Sequence, residues 1–130
     1  MAGDFFDSNV VIYLVSSDVA KAKQTRALLE GGGIISVQVL NEAVAVLRSK
    51  AKLYWKATAE VLEAVRSTCE VASLTEETHD LAFDLAERFQ LHIYDASIIA
   101  AAKLAECKTL WTEDLTDGQV IEGVRIRNPF

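Results

Sequence analysis

The sequence predicts an α/β fold built on a mostly parallel sheet, and three observations carry this reading. Short apolar runs begin at Asp4–Phe6, Ile34–Ser36, Glu70–Leu74 and Thr109–Trp111, with a pair of helix-like segments between each run and the next. One segment, opening at Asp95, is apolar on nearly all sides and reads as a buried helix. Acids stand where the apolar runs end: Asp7 after the first, and Glu113, Asp114 and Asp117 after the fourth. In an open α/β sheet, the carboxyl ends of the strands and the adjacent helix starts converge on one crevice.

Each element has its own signal. After Asp4–Phe6, the stretch DSNVVIYL turns the chain into a helix that Asp7 or Ser8 can cap. Val19–Glu30 follows as a polar-faced helix and stops at Gly31-Gly32-Gly33, a run suited to a helix end and tight turn. No G-K-[ST] follows those glycines, so a phosphate loop is not indicated. Gln38–Lys50 then carries an apolar arc of Val39, Leu40, Ala43, Val44, Val46 and Leu47, with Glu42 at its edge. A carboxylate drawn partly into an apolar face needs a partner, either a neighbouring base or a metal.

The dense basic cluster of Arg48, Lys50, Lys52 and Lys56 closes that helix. Cations at a helix C-terminus explain it, and contact with a phosphate backbone is the functional alternative. Leu53–Arg66 is an amphipathic helix whose Tyr54 and Trp55 can serve a dimer or partner groove. After the strand at Glu70–Leu74, Thr75 reads as the cap of a helix running to Phe89, with Thr78 in the reciprocal position of a capping box. The buried helix opens at Asp95, where the acid either caps or faces the crevice. Gln119–Phe130 supplies an edge strand at Val124–Ile126.

Composition limits the functions open to such a fold. The chain has 130 residues, 51% apolar and 25% charged, with a single proline at Pro129, and reads as one domain spanning residues 1–130. The N-terminal stretch MAGDFFDSN lacks a basic leader and no apolar run reaches membrane-spanning length, so a cytoplasmic protein is expected. Cys69 and Cys107 have no metal-ligand spacing and read as buried thiols, and His79 and His92 as ordinary histidines. A net charge of −6 argues against gripping nucleic acid with a broad basic surface. It leaves open a nuclease whose metal ions supply the local positive charge.

Each acid alone has a plain structural explanation; their order and setting are more specific. FFDSNVVIYL, SVQVLNEAVAVL and HIYDASIIAAAKLAECKTLWTEDL together resemble the PIN domain family, and more narrowly its VapC-type toxins. The tail TEDLTDGQVIEGVRIRNPF resembles one bacterial branch of that family. The resemblance implies a three-layer α/β/α sandwich and a ribonuclease dependent on one or two Mg²⁺ or Mn²⁺ ions. It assigns Asp7, Glu42, Asp95 and Asp114 to an acidic quartet, with Asn9 and Thr112 supporting it. Asp7, Asp95, Asp114 and, ranked lower, Asp117 are the implied metal ligands, while Glu113 is a bystander; Arg48, Lys50 and Lys52 are candidates for RNA contact. Implied partners are RNA, a second copy of the chain, and a small antitoxin inserting a basic side chain among the acids. A housekeeping RNA-processing nuclease and a catalytically silent binding protein of the same fold are the alternatives. A haloacid dehalogenase-type phosphatase needs a D-x-D pair, which Asp7-Ser8-Asn9 lacks. A receiver domain's adjacent acid pair and its lysine after the last main strand are absent at the corresponding positions.

Overall fold

A computed structural model describes residues 3–130; Met1 and Ala2, part of the N-terminal stretch read above, lie outside the described residues. Six strands form one sheet: β1 (Phe5–Phe6), β2 (Gly33–Ser36), β3 (Cys69–Ala72), β4 (Thr109–Trp111), β5 (Val120–Ile121) and β6 (Val124–Arg127). Their spatial order is β3-β2-β1-β4-β6-β5, with every neighbouring pair parallel except β5 and β6. The helices are α1 (Ser8–Ile12), extended by a 3₁₀ turn at Tyr13–Val15, α2 (Val19–Glu30), α3 (Val37–Ser49), α4 (Trp55–Thr68), α5 (Glu76–Phe89) and α6 (Ile93–Leu104). This is the expected α/β architecture. Among the described residues, no helix is long and apolar enough to cross a membrane.

The sheet is short-stranded and buried most completely at β1 and β2, whereas β6 alternates buried Val124 and Ile126 with exposed Arg125 and Arg127. Phe5, Phe6, Ile35, Leu110, Ile121 and Ile126 have essentially no exposed surface. Strands covered on both faces need apolar side chains on both, which is why β1 and β2 read as continuous apolar runs rather than alternating ones. Helix α6 packs against α5 and the sheet, burying Ala96 through Ala102 without interruption. The glycine run has two tasks. Gly32 turns the chain with φ +77° after α2, and a Cβ at Gly33 would sit 2.6 Å from the Asp4 carbonyl oxygen and run into the Phe6 ring. Thr75 and Thr78 form the reciprocal capping box at the start of α5.

Several element readings change, among them the helix read at Leu53–Arg66, which is Trp55–Thr68, and the strand read at Glu70–Leu74, which is Cys69–Ala72. Val124–Ile126 is not an edge strand: β6 lies between β4 and β5, and the edge belongs to β5. The two are joined by Glu122-Gly123, both at positive φ, a turn whose twist matches a tight hairpin. The first residues of α6 precede Asp95. His92 is its N-cap, with Nδ1 accepting from the Tyr94 N–H at 3.2 Å, so Asp95 lies inside the first turn with no capping bond to make. The helix holding Glu42 starts one residue early, at Val37, because Ser36 at the end of β2 caps it.

Strand order reverses at β1, since the chain first builds outward through β2 and β3 and then crosses to β4 on the other side. The crevice therefore opens beyond the carboxyl ends of β1 and β4, where Asp7 and Thr112 follow their strands.

Candidate functional site

Asp7 is the buried centre of that crevice, only 3% exposed. Its Oδ1 accepts from the Ser8 N–H at 2.6 Å, which makes it the N-cap of α1. Its Oδ2 accepts from the Thr112 hydroxyl at 2.9 Å and lies 3.4 Å from Asn9 Nδ2. One carboxylate thus caps α1 through Oδ1 and binds the loop after β4 through Oδ2. Burial raises the Asp7 carboxyl from 3.8 to about 6, with the charges of Glu42 and Asp114 adding to the rise and the bonds from Thr112 and Ser8 opposing it.

Thr112, fully buried, ties the loop after β4 to α1. Its hydroxyl donates to Asp7 and accepts from Asn9 Nδ2 at 3.0 Å and the Asp114 N–H at 3.2 Å. Asn9 returns the link by accepting the Glu113 N–H on Oδ1 at 3.1 Å. Glu42 reaches the same place from α3. Its Oε1 accepts from Ser8 Oγ at 3.0 Å, and its Oε2 from Gln38 Nε2 at 3.3 Å. Gln38 also donates to the Tyr94 carbonyl at 3.0 Å, linking α3 to the first turn of α6. Half-buried Asp95 stands in that turn. Its carboxyl is raised by burial and then by Asp114, with His92 pulling the other way. Asp114 itself is exposed and acts on both Asp7 and Asp95.

Asp7, Glu42, Asp95 and Asp114 come from four elements, with Asp7 within reach of the charges of Glu42 and Asp114, and Asp95 within reach of that of Asp114. Asp117 is turned elsewhere, with Oδ1 accepting the Asn128 N–H at 2.9 Å and thereby holding the C-terminal tail. Of the basic cluster, Arg48 donates to the Leu53 carbonyl at 2.8 Å and stacks 4.2 Å from the Trp55 ring centroid. Lys50 lines a cleft of about 540 Å³ that begins at Asn9 and Asp114, while Lys52 is exposed at φ 55°.

Two contributors escaped the sequence reading. Ser8 was weighed as a cap, yet its hydroxyl lies between Asp7 and Glu42, 3.3 Å from one and 3.0 Å from the other. Glu113 is less of a bystander than expected, since Oε1 accepts the Tyr13 hydroxyl at 2.8 Å and Lys21 Nζ lies 3.6 Å from Oε2. The available signal was spacing: Tyr13 follows Asn9 by four residues, one helical turn along the same face.

The donors at the crevice are carboxylate oxygens with hydroxyl and amide support, the set that hard divalent cations take. Among the described residues, no three His, Cys, Asp or Glu side chains close tightly enough to cage an ion by themselves. An open arrangement suits Mg²⁺, which keeps several waters and needs one or two carboxylates. Burial is the main cause that raises the Asp7 and Asp95 carboxyls, with neighbouring acids adding a smaller push in the same direction, and carboxylate oxygens with hydroxyl and amide support are the donor type such an ion takes.

A sequence comparison with curated proteins returns no match. Solved structures are similar in fold at low identity. The chain matches a toxin–antitoxin complex from Klebsiella pneumoniae with a TM-score of 0.74 at 22% identity, covering 98% of each chain. It matches a DNA-bound VapBC from Salmonella typhimurium with a TM-score of 0.72 at 21% identity over 100% of both chains. A sarcin–ricin loop-cleaving VapC toxin from Mycobacterium tuberculosis matches at 0.68 and 17% identity, over 82% of this chain and 86% of that one. The family model of the PIN domain spans residues 5–116, from β1 through the loop that carries Asp114, and the protein belongs to the PIN domain family.

Proposed function

We propose that the protein is a metal-dependent endoribonuclease and the toxin of a type II toxin–antitoxin pair. The observation that carries this reading is the convergence of Asp7, Glu42, Asp95 and Asp114, with Asp7 almost fully buried and subject to the charges of Glu42 and Asp114. Structural acids are normally paired with bases, whereas the carboxylates of Asp7 and Glu42 are bonded to hydroxyls and amides.

Asp7, Asp95 and Asp114 would hold Mg²⁺ or Mn²⁺, which when bound supplies charge neutralisation at the scissile phosphate and activation of the attacking water. The chain's own groups position that chemistry. Thr112 holds Asp7 Oδ2 at 2.9 Å and the Asp114 backbone at 3.2 Å, fixing two strand ends relative to each other. Ser8 and Gln38 hold Glu42 from both oxygens, so its carboxylate enters the crevice in one orientation. Asn9 fixes the loop at Glu113. Lys50 supplies a cation on the cleft wall for the RNA backbone, with Lys52 beside it in sequence. Asp117, engaged with Asn128, acts on the tail rather than on the phosphate. Attack of water at the phosphorus with the 3′-oxygen as leaving group would leave a 5′-phosphate and a 3′-hydroxyl.

Toxin–antitoxin assemblies among the structural neighbours support an antitoxin partner. A basic side chain from such a partner fits the crevice, because an arginine engages a carboxylate through two parallel hydrogen bonds and occupies the space a cation needs. A homodimer in the cytoplasm completes the reading.

The test is cleavage of defined RNAs under Mg²⁺ and Mn²⁺ titration, with 5′-end analysis of the products. Metal-dependent cleavage that vanishes in Asp7→Asn and Asp95→Asn, with both variants folded, is the expected result. Cleavage surviving both substitutions removes the acid cluster from the mechanism.

A further inference from the structure

The cleft beside Asp114 brings several chemistries to one wall. Polar Ser8 and Asn9, apolar Ile12, aromatic Tyr13 and cationic Lys50 all line it together with Asp114. Its volume of about 540 Å³ lies in the range of sites that take nucleotide-sized groups.

Tyr13 is held there from several directions. Its hydroxyl donates to Glu113 Oε1 at 2.8 Å and receives Lys21 Nζ at 3.4 Å. Lys21 Nζ also lies 4.9 Å from the Tyr13 ring centroid, 5.2 Å from that of Phe130 and 3.6 Å from Glu113 Oε2. The Phe130 ring meets Tyr13 at 4.6 Å and 64°, an edge contact. Gln24 anchors the same tail by donating to the Pro129 carbonyl at 3.4 Å. Glu113, Lys21 and Phe130 together fix Tyr13, yet none of their bonds reaches Asp7, Glu42 or Asp95. With its hydroxyl engaged inside the protein, Tyr13 offers the cleft an immobilised aromatic surface next to the acid cluster.

We infer that Tyr13 is a specificity residue whose ring receives the base of the nucleotide flanking the scissile phosphate, and that Glu113 and Lys21 are positioning residues acting through it. Aromatic side chains are the usual platforms for unstacked RNA bases. Lys50, lining the same cleft, is placed for the next phosphate. The assignment rests on the ribonuclease reading for its substrate class but uses different residues.

The experiment measures binding and cleavage separately on the full chain. Binding of a fluorescein-labelled single-stranded RNA is followed by anisotropy in EDTA, where no turnover occurs. KM, kcat and the cleavage map of a mixed-sequence RNA are then measured with Mg²⁺. Tyr13→Ala is expected to weaken binding and raise KM about tenfold, more than it lowers kcat, and to relax the base preference at one flanking position. Tyr13→Phe keeps the ring and restores binding to within about threefold of wild type, while Glu113→Gln falls between the two. Tyr13→Leu keeps apolar packing against Phe130 without an aromatic face, and serves if the alanine variant does not fold. A folded Tyr13→Ala or Tyr13→Leu protein with unchanged Kd, KM and cleavage map overturns the assignment. A wild-type protein that binds RNA through Tyr13 in EDTA yet cleaves nothing with any divalent metal overturns the nuclease reading and leaves the base-binding wall standing.

Discussion

The Thr112 hydroxyl donates to Asp7 Oδ2 at 2.9 Å across 105 positions of sequence, joining the ends of β4 and β1 inside the protein. The same oxygen accepts from Asn9 and from the Asp114 backbone. One buried hydroxyl therefore sets the spacing between two acids of the crevice. Thr112→Val keeps the shape and removes the donor, leaving a buried carboxylate short of one bond. The expected outcome is a loss of about 1–3 kcal/mol in urea unfolding at neutral pH, together with a further rise of the Asp7 carboxyl. Unchanged stability would mean that water or Asn9 replaces the bond without cost.

Asp7 makes metal-free stability depend on pH, and the sign follows from its direction of shift. Folding raises its carboxyl from 3.8 to about 6, so the folded protein holds the proton more tightly than the unfolded chain does. This contribution is fully present below 3.8, is lost as pH rises through about 6, and leaves the metal-free protein weaker by about 1–3 kcal/mol above that. Asp7→Asn escapes the charge while its amide oxygen still accepts from Ser8. In EDTA at pH 8 the variant is expected to be more stable than wild type, with the gap closing toward pH 4. Denaturant melts across that range provide the check, and a variant that unfolds would reduce Asp7 to a helix cap.

Glu42 raises the Asp7 carboxyl through its charge. Glu42→Gln retains an oxygen for Ser8 and removes that charge, so Asp7 should titrate lower than in wild type when followed by carboxyl ¹³C NMR. Metal-dependent cleavage should fall by about tenfold or more, the usual loss when a group that orients a metal site is removed. An Asp7 titration that does not move would place Glu42 outside the crevice's electrostatic reach.

Asp7 and Glu42 could be singled out in the sequence from their local setting. Asp7 follows a run of two phenylalanines, and Glu42 sits at the edge of an apolar arc; both features survive projection onto one dimension. Capping and functional readings of Asp7 competed in the sequence, and in the structure the cap uses one carboxylate oxygen while Thr112 engages the other. Asp95 was placed at the right helix end and in its first turn but not at the right position within it, because a histidine is an unusual cap and His92 gave no signal. β5 escaped notice since a two-residue strand carries no periodicity, and its pairing comes from the turn at Glu122-Gly123. The divergence of Asp117 from Asp114 depends on where Asn128 returns, and that contact spans 11 residues of irregular chain. The link between Glu113 and Tyr13 spans 100 positions and is invisible to any local pattern.

The remaining prediction concerns association through the start of α4. Tyr54 and Trp55 are 82% and 65% exposed, so neither is packed in the core of its own chain. Arg48 stacks on Trp55 and donates to the Leu53 carbonyl, which fixes the indole on the surface instead of leaving it to swing. Preorganised aromatics with an arginine beside them are the residue types that anchor protein interfaces, where truncating such an anchor removes about 2 kcal/mol or more. Away from an interface, trimming an exposed side chain changes stability by about 0.5 kcal/mol or less. A homodimer using this surface needs to bury at least about 1,000 Å² in total. Light scattering at micromolar concentration should then report twice the chain mass, and Trp55→Ala should shift the protein toward monomer with its thermal melt extrapolated to low concentration unchanged. A wild-type monomer across the micromolar range would remove the homodimer. A dimer indifferent to both Tyr54→Ala and Trp55→Ala would move the interface to another face of the molecule, and neither result would touch the acid cluster at Asp7.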